Sequence, residues 1–226
     1  MSKLKTIFFA ASALALLGVS ACKDPSDGTG GGNIVPPEAP FVEGGASLIL
    51  SRDRLDIKVT VTTADGTSVT VEGCTETTLI SGTATVLHAK STKVILKGKI
   101  TELDCNRNQL TALNVQGLTA LQVLDCGYNQ LTALDVQGLT ALQGLYCGSN
   151  QLNADAFKKL FDDLPQRTAN AGAQCYLYTE RSGVIEGNHR DFTSPGELKT
   201  AFDNAKTVKN WKMYKRNMND DLVDLE

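Results

Sequence analysis

The chain has 226 residues, enough for one or two small domains with a real core, and it is 42% hydrophobic, 6% aromatic and 21% charged, as in ordinary soluble globular proteins. A formal net charge of −3 with no basic stripe argues against nucleic acid as a partner. Residues 1–21 stand apart from any fold. Lys3 and Lys5 give a positive start, and Ile7 to Val19 form an apolar run too short and wrongly flanked for a membrane span. That combination predicts a signal peptide.

Leu17-Gly18-Val19-Ser20-Ala21-Cys22 resembles a bacterial lipobox. The resemblance implies cleavage before Cys22 and acylation of its thiol and new amine, with palmitate-type chains. Each buried CH₂ adds about 0.8 kcal/mol, so two or three chains anchor a protein durably to a bilayer. Lys23-Asp24 is similar to the short acidic export tag of Bacteroidetes surface lipoproteins, which implies an outer-membrane lipoprotein exposed at the cell surface. Residues 22–45, with Gly28, Gly30-Gly31-Gly32, Pro36-Pro37 and Pro40, are expected to form a flexible tether with a reach of about 25 Å. These glycines follow no strand and lack a Gly-Lys-Ser/Thr ending, so they do not form a phosphate loop.

Residues 46–99 alternate like strands and carry no helix signal. Leu55 to Val61 has period 2 and is rich in β-branched residues; Asp65-Gly66 marks a turn before Val69 to Gly73, and Thr83 to Leu87 and Val94 to Leu96 continue the pattern. This segment is expected to be an N-terminal β cap or small β domain.

Residues 100–152 repeat. The stretch from Thr101 to Leu121 returns almost unchanged from Gln122 to Leu142 and starts again at Gln143. Cys105, Cys126 and Cys147 step by 21 residues, as do Asn108, Asn129 and Asn150. A fixed step with no insertion predicts stacked coils.

In residues 153–215, Asn153 can cap a helix with Ala156, Phe157, Leu160, Phe161 and Leu164 on one face, ended by Pro165. Cys175 to Tyr178 reads as a strand. Ser194-Pro195-Gly196-Glu197 predicts a capping box for a helix with Leu198, Ala201, Phe202 and Ala205 on one face. Trp211 to Tyr214 predicts a last short strand, and residues 216–226 are expected to form a frayed polar tail.

Each copy contains Leu-x-x-Leu-x-Cys-x-x-Asn-x-Leu, as in Leu121 to Leu131, and this motif resembles the leucine-rich repeat. The 21-residue form with cysteine in the strand is similar to the repeats of the internalin J family and of Bacteroidetes adhesin-like surface proteins. The resemblance implies an α/β, β-dominated fold: a short right-handed leucine-rich-repeat solenoid with an N-terminal β cap and a C-terminal α/β cap. The alternation of Leu124 and Cys126 with Val123, Asp125 and Gly127 agrees with it, because strand side chains alternate between faces. Leu131, Leu134, Val136 and Leu139 would then close an apolar ring that only stacked neighbours can cover.

The cysteines are expected to form an inward core ladder. An inward column at about 4.8 Å spacing cannot wrap one zinc ion, and parallel Cβ vectors at that distance suit a disulfide poorly. Cys175 is expected to extend the ladder. The asparagines are expected to satisfy backbone groups of adjacent coils at tight turns rather than to bind sugar. No metal or cofactor is expected.

The outward strand positions are Glu102, Asp104, Asn106 and Arg107, then Val123, Asp125, Gly127 and Tyr128, then Gly144, Tyr146, Gly148 and Ser149. They differ between copies while the inward residues do not, so they are the candidate ligand-binding face. Tyr and Arg are favoured interface anchors. A cell-adhesion or protein-binding role, toward a protein or glycoprotein of a host or neighbouring cell, is the leading expectation. A structural envelope lipoprotein is the alternative. Enzymatic activity on carbohydrate is disfavoured: Glu102 and Asp104 would sit about 7 Å apart on an open strand with no pocket, and His88 and His189 have no evident triad partner.

Overall fold

The structure, a computed structural model, describes residues 38–225. The expected signal peptide, Cys22 and residues 23–37 of the expected tether lie outside the described residues. Within them the fold is β-dominated, with thirteen strands in two sheets and two helices. No described helix is long and apolar enough to cross a membrane.

The larger sheet is built around the repeats. β7 (Ile100–Asp104), β9 (Val123–Asp125), β10 (Gly144–Tyr146), β11 (Gln174–Thr179) and β12 (Lys212–Arg216) run parallel, each hydrogen-bonded to the next. Leu103, Leu124, Leu145, Cys175 and Met213 are register partners and form one buried column on the inner face. Cys105, Cys126 and Cys147 follow two residues later, fully buried and unbridged. Burial pushes the Cys105 and Cys126 thiols up, away from the reactive thiolate. Cys175 does not extend the thiol column as anticipated. It pairs with Leu145 and fills the leucine column, while Leu177 takes the place after Cys147. The 28-residue step from Cys147 to Cys175 departs from the 21-residue period, and strand register, not residue type, decides the column.

The return limbs bring Leu131, Leu134, Val136, Leu139 and Leu142 onto the same interior. The first return limb becomes a strand, β8 (Leu110–Asn114). It pairs antiparallel with β1 (Gly45–Leu50), which also pairs with β6 (Lys93–Lys97). β6 continues through β3 (Val69–Glu72) to β4 (Thr78–Leu79) as a second sheet. β2 (Asp56–Thr63) pairs with β7 on one side and β5 (Thr85–His88) on the other. The segment before residue 100 therefore covers the open edge of the repeats in both sheets, an edge that would otherwise expose unpaired backbone.

One expectation holds here and one changes. The expected turn forms at Asp65-Gly66, with Gly66 at φ 71°, and it carries the chain around a corner from β2 in one sheet to β3 in the other. The tether ends before residue 45. Ala39 is buried, the Asn114 amide donates to the Ala39 carbonyl at 3.2 Å, and the Ser47 hydroxyl donates to the Pro40 carbonyl at 2.5 Å. Gly117 permits this docking, since a Cβ there would sit 1.8 Å from the Val42 carbonyl oxygen.

At the other end, α1 (Ala154–Asp163) is capped by Asn153, which accepts from the Ala156 N–H at 2.9 Å. Phe157 and Phe161 of α1 pack with Phe192 and with Phe202 of α2 (Glu197–Thr207), at ring separations of 5.2 to 5.6 Å. Trp211 is buried, and its indole N–H donates to the Pro165 carbonyl at 2.8 Å. The anticipated capping box is not formed. Gly196 caps α2 without a side-chain bond, because the Ser194 hydroxyl donates instead to the Asp191 carboxylate. The tail is not frayed either. Asn217 accepts the Asn219 and Asp221 N–H groups in a turn, and β13 (Leu222–Asp224) returns antiparallel to β12.

Candidate ligand-binding face

The asparagine column fixes the geometry of the face. Asn129 is 8% exposed, and its carbonyl oxygen accepts the N–H groups of Asn108 at 3.0 Å and Leu110 at 2.9 Å. Its amide donates to the carbonyls of Cys105 at 3.1 Å, Cys126 at 3.0 Å and Gly127 at 3.2 Å. Asn150 repeats this one rung on, accepting from Leu131 and donating to Cys126 and Cys147. Asn108 ties the first rung to β2 through both the N–H and the carbonyl of Lys58. Asn188 completes the column by accepting from Leu152 and donating to Cys147 and Leu177. Sequence reasoning missed Asn188, which lies 38 residues past Asn150, so no fixed period points to it.

With the rungs locked, outward residues align in rows. Strand pairing places Asp104, Asp125, Tyr146, Tyr176, Tyr214 and Asp224 side by side. The neighbouring row runs through Glu102, Val123, Gly144, Gln174 and Lys212. Row spacing is about 4.8 Å, one strand to the next. Asn106 joins the two aspartates: its amide donates to Asp104 at 2.8 Å and to Asp125 at 3.1 Å. The Asp125 carboxylate also accepts the Gly127 N–H at 3.0 Å. Burial raises its affinity for a proton, against the pull of that N–H. Tyr146 accepts from Gln174 at 2.6 Å, and Thr62 donates to Glu102 at 3.1 Å. The Arg107 guanidinium lies over the Tyr128 ring, 3.9 Å from its centroid.

The eight sequence-derived candidates Glu102, Asp104, Asn106, Arg107, Val123, Asp125, Tyr128 and Tyr146 thus share one face. Four expected outward positions differ from expectation, since Gly127 in the second repeat and Gly144, Gly148 and Ser149 in the third are buried. Tyr176 covers Gly148 so closely that a Cβ would meet its ring at 2.7 Å, and Gly144 lies under Val123 and Tyr146. Ser149 is further held by Glu186, which accepts its N–H with both carboxylate oxygens.

Three arginines gather at one end of this face. Arg107, Arg181 and Arg216 line a polar cavity of about 230 Å³ together with Asn106, Asp125, Tyr128 and Asp220. Arg216 lies 5.4 Å over the Tyr176 ring. The Tyr176 hydroxyl is buried with no hydrogen-bond partner among the described residues, and burial pushes it up to about 12. Tyr176, Tyr214, Arg181 and Arg216 were not foreseen. The alternation from Cys175 to Tyr178 could have placed Tyr176 on the face, but Arg181 arrives on a loop and Arg216 in a segment read as frayed.

No family model matches the chain, and neither curated proteins nor solved structures give a match.

Proposed function

We propose that this protein is a surface lipoprotein anchored through Cys22, in which a short right-handed leucine-rich-repeat solenoid presents its outward strand face to a protein or glycoprotein on another cell. The observation that carries the reading is the division between the two faces of one parallel sheet. The inner columns hold leucine and cysteine in every repeat, and the outer row changes from Asp104 and Asp125 to Tyr146, Tyr176 and Tyr214. Inner residues support neighbouring rungs; outer residues are free to differ without loss of packing. The adhesive role is that of a binding module, not an enzyme.

The test is attachment of the purified full chain to whole bacterial cells and to immobilised extracellular-matrix glycoproteins. Asp125→Ala, Tyr128→Ala and Tyr146→Ala are expected to weaken attachment at least tenfold in combination while the melting temperature moves by less than about 4 °C. Unchanged attachment of the triple variant would refute the assignment of this face. A deletion strain with a disturbed envelope, rescued equally by wild type and the triple variant, would favour the scaffold reading instead.

A further inference from the structure

We propose that the arginine-lined cavity is a subsite for the carboxylate of an acidic sugar, so that the ligand of the outward face is a carboxylate-bearing glycan. This rests on the reading of that face as a binding surface. Charge is the first argument. Arg181 and Arg216 share one carboxylate, Asp220, at 3.6 and 3.2 Å. Arg107 makes no ion pair within 4 Å among the described residues and rests over the Tyr128 ring. Three guanidinium groups thus face two carboxylates, Asp125 and Asp220, in a chain whose formal net charge is −3. Asp125 lies close enough to Arg107 for the guanidinium to favour its charged form, but its oxygens also accept the Gly127 N–H and the Asn106 amide, so with Asp220 shared by two arginines the cavity keeps one more cation than anion. The unspent donors are planar forks, which match a carboxylate bidentately.

Shape selects the sugar over an acidic peptide. A peptide ligand gains most of its affinity from apolar anchors sunk into pockets. Among the described residues the one ring on the cavity wall is that of Tyr128, and no aliphatic residue lines it. Beside it the face offers Tyr146 and Tyr214 in one row, half-buried and separated by the covered Tyr176, with the amide of Gln174 on the next row. Aromatic rings give a sugar ring a flat apolar rest while amides and carboxylates take its hydroxyls, and a pocket with few polar groups set around it fixes orientation. The cavity of about 230 Å³ admits one pendant sugar.

The full chain is titrated calorimetrically with an oligogalacturonide and a sialylated oligosaccharide, each beside its carboxyl-reduced counterpart, and with poly-glutamate. Binding of at least one acidic glycan is expected, weakened tenfold or more by carboxyl reduction, by Arg107→Gln and by Arg181→Gln. It should fall further between 0.05 and about 0.5 M salt, since the Debye length shrinks below the charge separations involved. Arg107 is exposed, so its variant should melt as the wild type does. Equal affinity for reduced and acidic glycans, no glycan binding at all, or binding of poly-glutamate alone would each overturn the proposal. Cell attachment that survives Arg107→Gln and Arg181→Gln yet fails in the Asp125, Tyr128 and Tyr146 triple variant would overturn the subsite and leave the binding face standing.

Discussion

Asn129→Ala isolates what the asparagine column contributes. Asn129 satisfies two buried N–H donors, those of Asn108 and Leu110, and three carbonyls. The carbonyls of Cys105 and Cys126 keep other partners: Asn108 donates to the first and Asn150 to the second. The two N–H groups keep none of comparable quality, because both point at the same lost oxygen. Each buried orphan costs about 1–3 kcal/mol, so the pair costs about 2–6 kcal/mol, and a central value near 4 kcal/mol is expected. With an m-value of about 2–3 kcal/mol/M in urea for a chain of this size, the midpoint should fall by about 1.5–2 M. Equilibrium unfolding followed by far-UV circular dichroism measures this, with Gln137→Ala, at an exposed position of the return limb, as the control. A drop below about 0.5 M for Asn129→Ala, little more than 1 kcal/mol, would refute the view that side-chain amides hold the rungs together.

Ser149→Gly should stabilise the fold by about 1 kcal/mol, because Ser149 sits at φ 57° and buries a hydroxyl without a partner; a rise in melting temperature of about 2–4 °C checks it, and a fall would contradict it. Under native conditions Cys105, Cys126, Cys147 and Cys175 should resist a thiol-reactive dye that labels them within minutes after unfolding, and rapid native labelling would place them outside the core. Glu186 binds a proton more tightly in the folded state because it is buried, although the N–H groups of Asn188, Thr179 and Ser149 oppose that shift. An acid whose folded affinity for protons is raised stabilises the fold below its unfolded pKa, and that contribution is lost as pH rises through the folded value. Urea midpoints of wild type relative to Glu186→Gln should therefore decline from pH 4 to 7, and parallel curves for the two proteins would refute the assignment.

What could be read from the chain depends on whether a residue obeys a period. Leu124, Cys126 and Asn129 recur every 21 residues, and their burial, columns and turn bonding follow from that step and from strand alternation. α1 was legible because Asn153, its apolar face and Pro165 lie within thirteen residues of one another. Asn188 performs the same bonding as Asn150 but follows a helix and a loop, so no local signal marks it. β8 is identical in sequence to the stretch one repeat later, apart from Asn114 and Asp135, yet only the first copy becomes a strand. The difference lies in β1, which reaches the first copy and not the second, and a pairing made across more than sixty residues is invisible to any local pattern. The cavity was hidden for the same reason: Arg107 belongs to the repeats, whereas Arg181 and Arg216 arrive from the loop after β11 and the end of β12.

The residue just before each of the three repeat asparagines, Asn108, Asn129 and Asn150, shows how strain and binding meet. Arg107, Tyr128 and Ser149 all have φ between 53° and 57°, in the left-handed region that glycine occupies most cheaply. The tight turn into the asparagine imposes this conformation in each of the three repeats, so it costs about 1–2 kcal/mol wherever a side chain with a Cβ is kept. At Ser149 the side chain repays nothing, since its hydroxyl is buried and unpaired. At Arg107 and Tyr128 the two side chains stack on each other and form one wall of the arginine cavity. Strained non-glycine residues persist where the surroundings over-determine them, and they gather at ligand sites. Replacing both Arg107 and Tyr128 by glycine should therefore raise the melting temperature while abolishing the carboxylate-dependent glycan binding proposed above. A double variant that binds as well as wild type would separate the strain from the site.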